Sequence, residues 1–161
     1  MSPSTELSRR GRTSATIPIE MCSVRVGEML LGLPISHILE IVGSARPQPV
    51  PLAPGFVGGL VHYRGDVLTT VSLRQILDMP VSHHPQTILV LECSGGCFGV
   101  LVDAVGEVLT VWPEDYGPNP STLDESRKRI FSGAYKLPHG LLVILDPARL
   151  DPLHLAAAEV V

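Results

Sequence analysis

The chain has 161 residues, of which 45% are apolar and only 4% aromatic, so it can form one domain or two small lobes around Val, Leu and Ile. Its 15 glycines and 15 prolines predict many turns, which argues against a helical bundle and favours β-structure. The net charge of −4 argues against nucleic acid as a partner. Since no apolar stretch approaches the roughly 18 residues of a membrane-spanning helix, we expect no direct membrane insertion.

The first 16 residues are polar and follow no apolar pattern, and we predict that they form a disordered leader. The basic cluster at 9–12 is typical of a solvated tail. The leader lacks the apolar segment of a secretory signal. We therefore expect a soluble, cytoplasmic protein.

The ordered part is predicted to begin with a β-hairpin that pairs residues 17–26 with 29–33, because apolar and polar residues alternate there. Four prolines within 46–55 cannot enter a strand ladder, so this stretch is predicted to be a surface loop.

A second hairpin follows, with Arg64, Gly65 and Asp66 at its tip between two strand-like runs. Ser72 is suited to cap a short helix near 72–79.

Residues 87–111 (TILVLECSGGCFGVLVDAVGEVLTV) predict two strands around a Ser-Gly-Gly turn. A polar loop follows over 113–128, and 130–150 again predicts strand, turn, strand and short helix. We expect a C-terminal helix near 147–158, and a tail over 156–161.

The two halves of the chain resemble each other. A shift of about 67 positions lays LLGLPISHILEIV, from Leu30, over CFGVLVDAVGEVL, from Cys97. A shift of about 74 positions lays residues 67–76 over 141–150. Apolar and turn positions agree over both blocks, which predicts two similar β-lobes packed side by side, the second half beginning near residue 86.

Four segments resemble motifs of the CheW-like family. FVGGLVHYRGDVLTTVSLRQIL is similar to the family segment that runs strand, Asn-x-Arg-Gly, strand, Asp-Leu and helix. HILEIV, FGVLVDAVGEVL and FSGAYKLPHGLLVILD are similar to three further family elements, in collinear order over about residues 17–155. His62, Thr69 and Ser72 stand where family members often have Asn, Pro and Asp, and Ser72 keeps the capacity to cap a helix.

The resemblance implies an all-β fold with short helices, in which two SH3-like five-stranded barrels form a CheW-like domain over 17–155. It also implies a non-enzymatic adaptor, without cofactor, that couples chemoreceptors to a CheA-type histidine kinase. The expected partners are the regulatory domain of that kinase and the cytoplasmic tip of the receptor. The expected location is the cytoplasm, in association with membrane-bound receptor arrays.

Glu40 and Arg64 are the first candidates for partner binding, because both lie in segments that resemble the family's partner-binding motifs. An Arg at a hairpin tip can pair with a carboxylate bidentately, although a solvated surface Arg is the ordinary alternative. Gly65 and His62 belong to the same candidate site, because Gly65 lies at the tip and His62 lies beside it.

Apolar candidates for docking are Val57, Gly59, Val102 and Val105. Burial in the core is the alternative for these valines, and it is the better interpretation for Val102 and Val105. Asp103 is expected to make structural hydrogen bonds rather than to act in catalysis.

The three cysteines, an odd number, suit free thiols in a reducing compartment. Cys93 and Cys97 are predicted to face each other on a hairpin, and their spacing does not fit a zinc site. The sequence contains no enzyme signature of the kinds that mark hydrolases, phosphate-binding loops or zinc proteases. The alternative function is a small-ligand-binding or stress-sensing regulatory β-barrel, with the ligand in the groove between the lobes.

Overall fold

The computed structural model describes residues 17–159, which form two β-sheets and four short α-helices. The predicted disordered leader, residues 1–16, lies outside the described residues. The first sheet consists of β1 (Ile19–Val26), β2 (Met29–Pro34), β8 (Ala104–Val111), β9 (Tyr116–Gly117), β10 (Phe131–Leu137) and β11 (Gly140–Leu145), in the order β8–β1–β2–β11–β10–β9. The second consists of β3 (Ile38–Ala45), β4 (Val57–Tyr63), β5 (Asp66–Ser72), β6 (Gln86–Cys93) and β7 (Gly96–Val102), in the order β3–β6–β7–β5–β4.

This architecture confirms the predicted all-β fold with short helices. Both predicted hairpins form, and each has a two-residue turn: Val26 pairs with Met29 in the first, and Tyr63 with Asp66 in the second. The first sheet has six strands rather than five because β9, within the predicted loop 113–128, pairs with β10.

The two sheets are built from equivalent strands. Shifting β1, β2 and β3 by 67 positions lays them over β6, β7 and β8, and shifting β4 and β5 by 74 lays them over β10 and β11. Five strands of each sheet therefore follow the same order. However, β3 pairs with β6 and β8 pairs with β1, so in each sheet these five strands combine three strands of one repeat with the first hairpin of the other, β1–β2 or β6–β7. The second repeat begins at residue 86, but the second sheet spans residues 38–102, so the boundaries of the repeats and of the sheets differ.

The prediction of two strands over 87–111 is wrong, because the apolar run after the turn is divided at Asp103. β7 ends at Val102 in the second sheet, and β8 begins at Ala104 in the first. The backbone N–H of Asp103 donates to the carbonyl of Arg25, 2.9 Å away, which fixes the crossing point. Apolar periodicity continues across this crossing because both strands bury side chains.

The core has three parts. A large shared cluster lies between the sheets, and a small cluster lies inside the curl of each sheet. In β6, Leu89 and Leu91 belong to the shared cluster, whereas Ile88 and Val90 belong to the small cluster of the second sheet. Burial on both faces explains why this strand is continuously apolar. Each curled sheet is therefore a barrel with its own interior, and the two barrels pack through the shared cluster.

The helices begin at equivalent positions of the repeats. The hydroxyl of Ser72 accepts from the backbone N–H of Gln75 at 3.3 Å and caps α1 (Leu73–Ile76), as the sequence predicts. Asp146, 74 positions later, caps α3 (Pro147–Leu150) in the same way.

The helices differ in length from those predicted. α1 has one turn instead of spanning 72–79. The C-terminal helix is divided into α3 and α4 (Pro152–Glu159), which continues through the first part of the predicted tail. α2 (Glu125–Lys128) lies within the predicted loop 113–128.

Candidate functional site

Glu40 and Arg64 form an ion pair between the two edge strands of the second sheet. Nη2 of Arg64 donates to Oε1 of Glu40 at 2.7 Å. Glu40 lies on β3 and Arg64 at the tip of the β4–β5 hairpin, and β3 and β4 are opposite edges in the strand order. The pair therefore bridges the two edges where the curled sheet approaches closure.

The turn that presents Arg64 has an unusual backbone. Arg64 and Gly65 have φ angles of 50° and 83°, and positive φ at both central positions is the mark of a type I′ turn. A glycine adopts this region without steric cost, whereas an arginine seldom does. The turn matches the twist of the flanking strands and holds the Arg64 side chain above β4.

Arg64 is oriented by two neighbours and is still accessible. Its guanidinium carbon lies 5.4 Å from the ring centroid of Tyr63, within the range of a cation–π contact. Its side chain is 70% exposed and that of Glu40 is 36% exposed. The hydrogen bond to Glu40 is the main cause that raises the pKa of Arg64 above its ordinary value. The site thus presents a fixed cation with donors free to face a partner.

The other predicted site residues divide into two groups. His62 and Gly65 are exposed beside Arg64, as expected for a surface site. Val102 is fully buried in the shared cluster, so it is a core residue, the interpretation preferred from the sequence, and not a docking residue. Val57 and Val105 are partly buried and pack against the same cluster. Their alternative interpretation, as core residues, is therefore the one that the structure favours.

Gly59 is buried rather than exposed, and it serves the close approach of two segments. A Cβ atom at Gly59 would lie 2.6 Å from the carbonyl oxygen of Gln48, and the φ angle there is +129°. Gln48 and Leu60 exchange two backbone hydrogen bonds of 2.8 Å, which tie the proline-rich loop to β4. Gly59 therefore shapes the site without offering a side chain to a partner.

The structure adds Leu39 and Ile41 to the candidate surface. These β3 side chains, on either side of Glu40, are 51% and 47% exposed. The sequence run Ile-Leu-Glu-Ile-Val already indicates exposed apolar side chains, because it places large apolar residues on both faces of a strand. We define the edge surface as Leu39, Glu40, Ile41, His62, Arg64 and Gly65.

Asp103 is the centre of a hydrogen-bond network where the chain crosses between the sheets. Its carboxylate accepts from Nε and Nη2 of Arg74 at 2.8 and 2.7 Å, from the backbone N–H of Gly27 at 2.7 Å, and from the side-chain amide of Gln86 at 3.1 Å. Arg74 also donates to the carbonyl of Pro80 at 2.8 Å. These bonds support the structural role expected for Asp103.

The hydrogen bond from Arg74 is the main cause that lowers the pKa of Asp103 to about 2, although partial burial opposes this shift. The same bond raises the pKa of Arg74. The carboxylate is therefore ionised at neutral pH, when its four bonds join the first hairpin, α1 and β6.

A comparison with known families gives a match of the CheW-like domain over residues 20–152. The chain belongs to the CheW-like domain family. It is 29% identical over 131 residues to the chemotaxis protein CheW of Rhizobium meliloti, covering 79% of this chain and 83% of that protein. Protein FrzA of Myxococcus xanthus is 29% identical over 122 residues, covering 74% of each.

A solved structure of the same family shows the shared fold. The scaffolding protein TtCheW from Thermoanaerobacter tengcongensis matches with a TM-score of 0.75 at 22% sequence identity, covering 84% of this chain and 94% of that chain. In this CheW-like chain, residues 17–159 bring together no group of three His, Cys, Asp or Glu side chains suited to a metal ion. Over the same range, no helix is long and apolar enough to cross a membrane.

The three cysteines of this CheW-like chain are free, and they differ in exposure. The prediction that Cys93 and Cys97 face each other is wrong, because Cys93 pairs with Gly96 and Cys97 with Glu92. Cys22 is buried, Cys93 is partly buried and Cys97 is exposed. Burial raises the pKa of Cys22, and burial together with Asp151 and Asp146 raises that of Cys93.

We expect iodoacetamide to modify Cys97 first, Cys93 more slowly and Cys22 only after unfolding, because the exposed thiolate is the reactive form. Intact mass measured over time at neutral pH, with peptide mapping, checks the order. Cys97→Ser should remove the fast phase. Modification of Cys22 in the folded protein at the rate of Cys97 would contradict the structure.

Proposed function

We propose that this chain is a non-enzymatic adaptor of chemotaxis signal transduction that couples chemoreceptors to a CheA-type histidine kinase. The family match over residues 20–152 carries the proposal. It is supported by relatives named chemotaxis protein CheW and by a structural neighbour that is a scaffolding protein. In this role the chain acts in the cytoplasm, at membrane-bound receptor arrays.

The edge surface is our candidate for partner binding. It combines an accessible guanidinium, held by Glu40 at 2.7 Å, with the exposed apolar side chains of Leu39 and Ile41. Arg is enriched among the residues that dominate protein–protein interfaces, and exposed apolar side chains mark surfaces through which proteins bind. The kinase regulatory domain or the receptor tip would meet this surface through a carboxylate and an apolar strip.

An exposed edge strand adds a second mode of recognition. β3 ends the second sheet and pairs with β6 on one side, so its other side offers backbone groups to a partner. The kinase regulatory domain is expected to have the same β-fold, and strand edges of two such domains can meet side by side. Binding of this kind needs no reacting group, which fits an adaptor rather than an enzyme.

Binding and reconstitution with purified components test the proposal. The partners are a CheA-type kinase and a receptor cytoplasmic fragment from the same organism. We expect the chain to bind each of them alone. We also expect the kinase to sediment with receptor assemblies, and its autophosphorylation to rise, when the chain is present.

Glu40→Arg, which reverses a charge of the edge surface, should weaken binding. Its matched control is Glu107→Arg, which makes the same change at the equivalent repeat position, on the exposed part of β8. This variant should bind as the wild type does if the edge surface is the relevant one. A folded wild-type chain that binds neither partner would refute the adaptor function. Loss of binding in the Glu107→Arg variant alone would move the site to the first barrel.

A further inference from the structure

The second barrel contains a cavity of about 640 Å³ that is open to solvent. Its apolar lining includes Val42, Val61, Val67, Ile88 and Val90. It lies between the edge strands β3 and β4, and the proline-rich loop supplies a further wall from Arg46 to Pro51. The volume falls within the roughly 300–1,000 Å³ of small-molecule sites.

The repeat explains why this barrel is hollow. Val61 is equivalent, by the shift of 74 positions, to Tyr135, which is buried in the small cluster of the first barrel. Tyr135 in turn packs edge-on against Tyr116, with ring centroids 5.1 Å apart. A valine in the second barrel thus stands where the first barrel has a buried aromatic ring.

The second ring of the pair is also replaced. Leu60 pairs with Gln48, and its equivalent in the first barrel, Ala134, pairs with Gly117. Pro47 precedes Gln48 as Tyr116 precedes Gly117, so Pro47 occupies the position of Tyr116. The surroundings of the equivalent glycines agree, because a Cβ atom at Gly59 would meet Pro47 and Gln48 whereas one at Gly133 would meet Tyr116 and Gly117. The first barrel therefore has a buried ring, Tyr135, covered by the half-exposed ring of Tyr116. The second barrel has neither of these rings, although Tyr63, at the position of Leu137, lines its cavity.

We propose that the cavity of the second barrel binds a small aromatic carboxylate, whose ring takes the place that Tyr135 fills in the first barrel. The ring would pack against Val61, Ile88 and Val90, which are apolar and at least partly buried. The acidic group would face the wall that contains Arg46, an exposed cation on the proline-rich loop. A ligand of this size fits a site with an apolar lining and few polar groups.

The cavity is separate from the shared cluster between the barrels. The alternative function predicted from the sequence placed a ligand between the two lobes, whereas this cavity lies inside one of them. The proposal does not depend on the adaptor function, because it concerns the protein alone.

The test uses the isolated full chain and methyl and amide resonances measured by NMR. The probes are 4-hydroxyphenylacetate and indole-3-acetate, with cyclohexylacetate as the non-aromatic arm and indole-3-acetamide as the uncharged arm. We expect at least one aromatic acid to give saturable shifts at Val61, Ile88 and Val90. The cyclohexyl acid and the amide should bind more weakly, the amide by about threefold or more, since an exposed ion pair contributes modestly.

Val61→Tyr introduces the side chain of the first barrel and should weaken binding at least tenfold, with the melting temperature unchanged or raised. Val61→Phe is the second variant in case the phenol cannot be accommodated. The matched control is Val108→Tyr, which makes the same change at an exposed position of β8 and should bind normally. Absence of saturable shifts for both aromatic acids would overturn the proposal. Undiminished binding to a folded Val61→Tyr or Val61→Phe variant would do the same.

Discussion

Arg64→Glu should weaken binding to at least one partner by about 30-fold or more, while the protein remains folded. Loss of a charge pair that a partner desolvates is usually this large, because the remaining charge is left buried without a counterion. The substitution also places two carboxylates, Glu40 and the new one, at the 2.7 Å contact between the edge strands. Both attraction to an acidic partner group and the orientation of the edge surface would be lost.

The fold should tolerate the change, because the Arg64 side chain is 70% exposed and lies outside the three core clusters. We expect the melting temperature to stay within about 2 °C of the wild type. Arg64→Asn is the matched control for the turn. Asparagine accepts a positive φ angle readily, so it removes the charge and keeps the type I′ geometry.

The measurement is binding to kinase and to receptor fragment for wild type, Arg64→Glu, Glu40→Arg and the double swap, with melting curves for each. Partial rescue in the double swap would show that the two side chains act as a pair. A folded Arg64→Glu variant that binds both partners normally would exclude the hairpin tip. The apolar residues Leu39 and Ile41 would then be the next candidates.

Local rules were enough to predict the hairpins, the cap at Ser72 and the internal repeat. Each of these depends on residues close in sequence: a two-residue turn with Arg64 and Gly65, a hydroxyl three positions before Gln75, or apolar positions repeated at a fixed shift. The family resemblance then identified Glu40 and Arg64 as candidates. Their contact brings together β3 and the β4–β5 tip, which lie 24 positions apart.

Other features depend on contacts that periodicity does not encode. The exchange of the β1–β2 and β6–β7 hairpins between the sheets could not be predicted, because an apolar run looks the same whether a strand continues or crosses at Asp103. For Val102, the alternation placed the side chain on a strand face but did not say that this face lies between two barrels. The cavity depends on a difference between the repeats, Val61 in place of Tyr135. The effect of this difference on the barrel interior can be recognised only when the structures of both barrels are known.

Asp103→Asn should produce the largest loss of stability among these substitutions, about 2–3 kcal/mol in the free energy of unfolding. The amide cannot accept both Nε and Nη2 of Arg74 as the carboxylate does, and its NH₂ group would face other donors. Arg74, whose side chain is only 19% exposed, would lose its charge partner. For a chain of this size we expect the melting temperature to fall by roughly 5–10 °C.

The pH dependence gives a separate signature of the same network. Because the folded protein lowers the pKa of Asp103 from 3.8 to about 2, ionised Asp103 stabilises the fold above the unfolded value of about 4. That contribution, about 2 kcal/mol, is lost as the pH falls from about 4 through 2, where the carboxylate becomes protonated in the folded state as well. The stability difference between wild type and Asp103→Asn should therefore be largest near neutral pH and shrink in this acidic range.

Denaturant unfolding at pH 7, 4 and 2.5 measures this difference, with Asp66→Asn as the control for an exposed carboxylate on β5. The control should track the wild type at every pH, because it removes charge without removing the network. A difference between wild type and Asp103→Asn that stays constant from pH 7 to 2.5 would mean that ionisation of Asp103 is not what stabilises the crossing. A difference below about 0.5 kcal/mol at pH 7 would mean that Gly27, Arg74 and Gln86 find other partners, and that packing of the shared cluster alone fixes the path between the sheets.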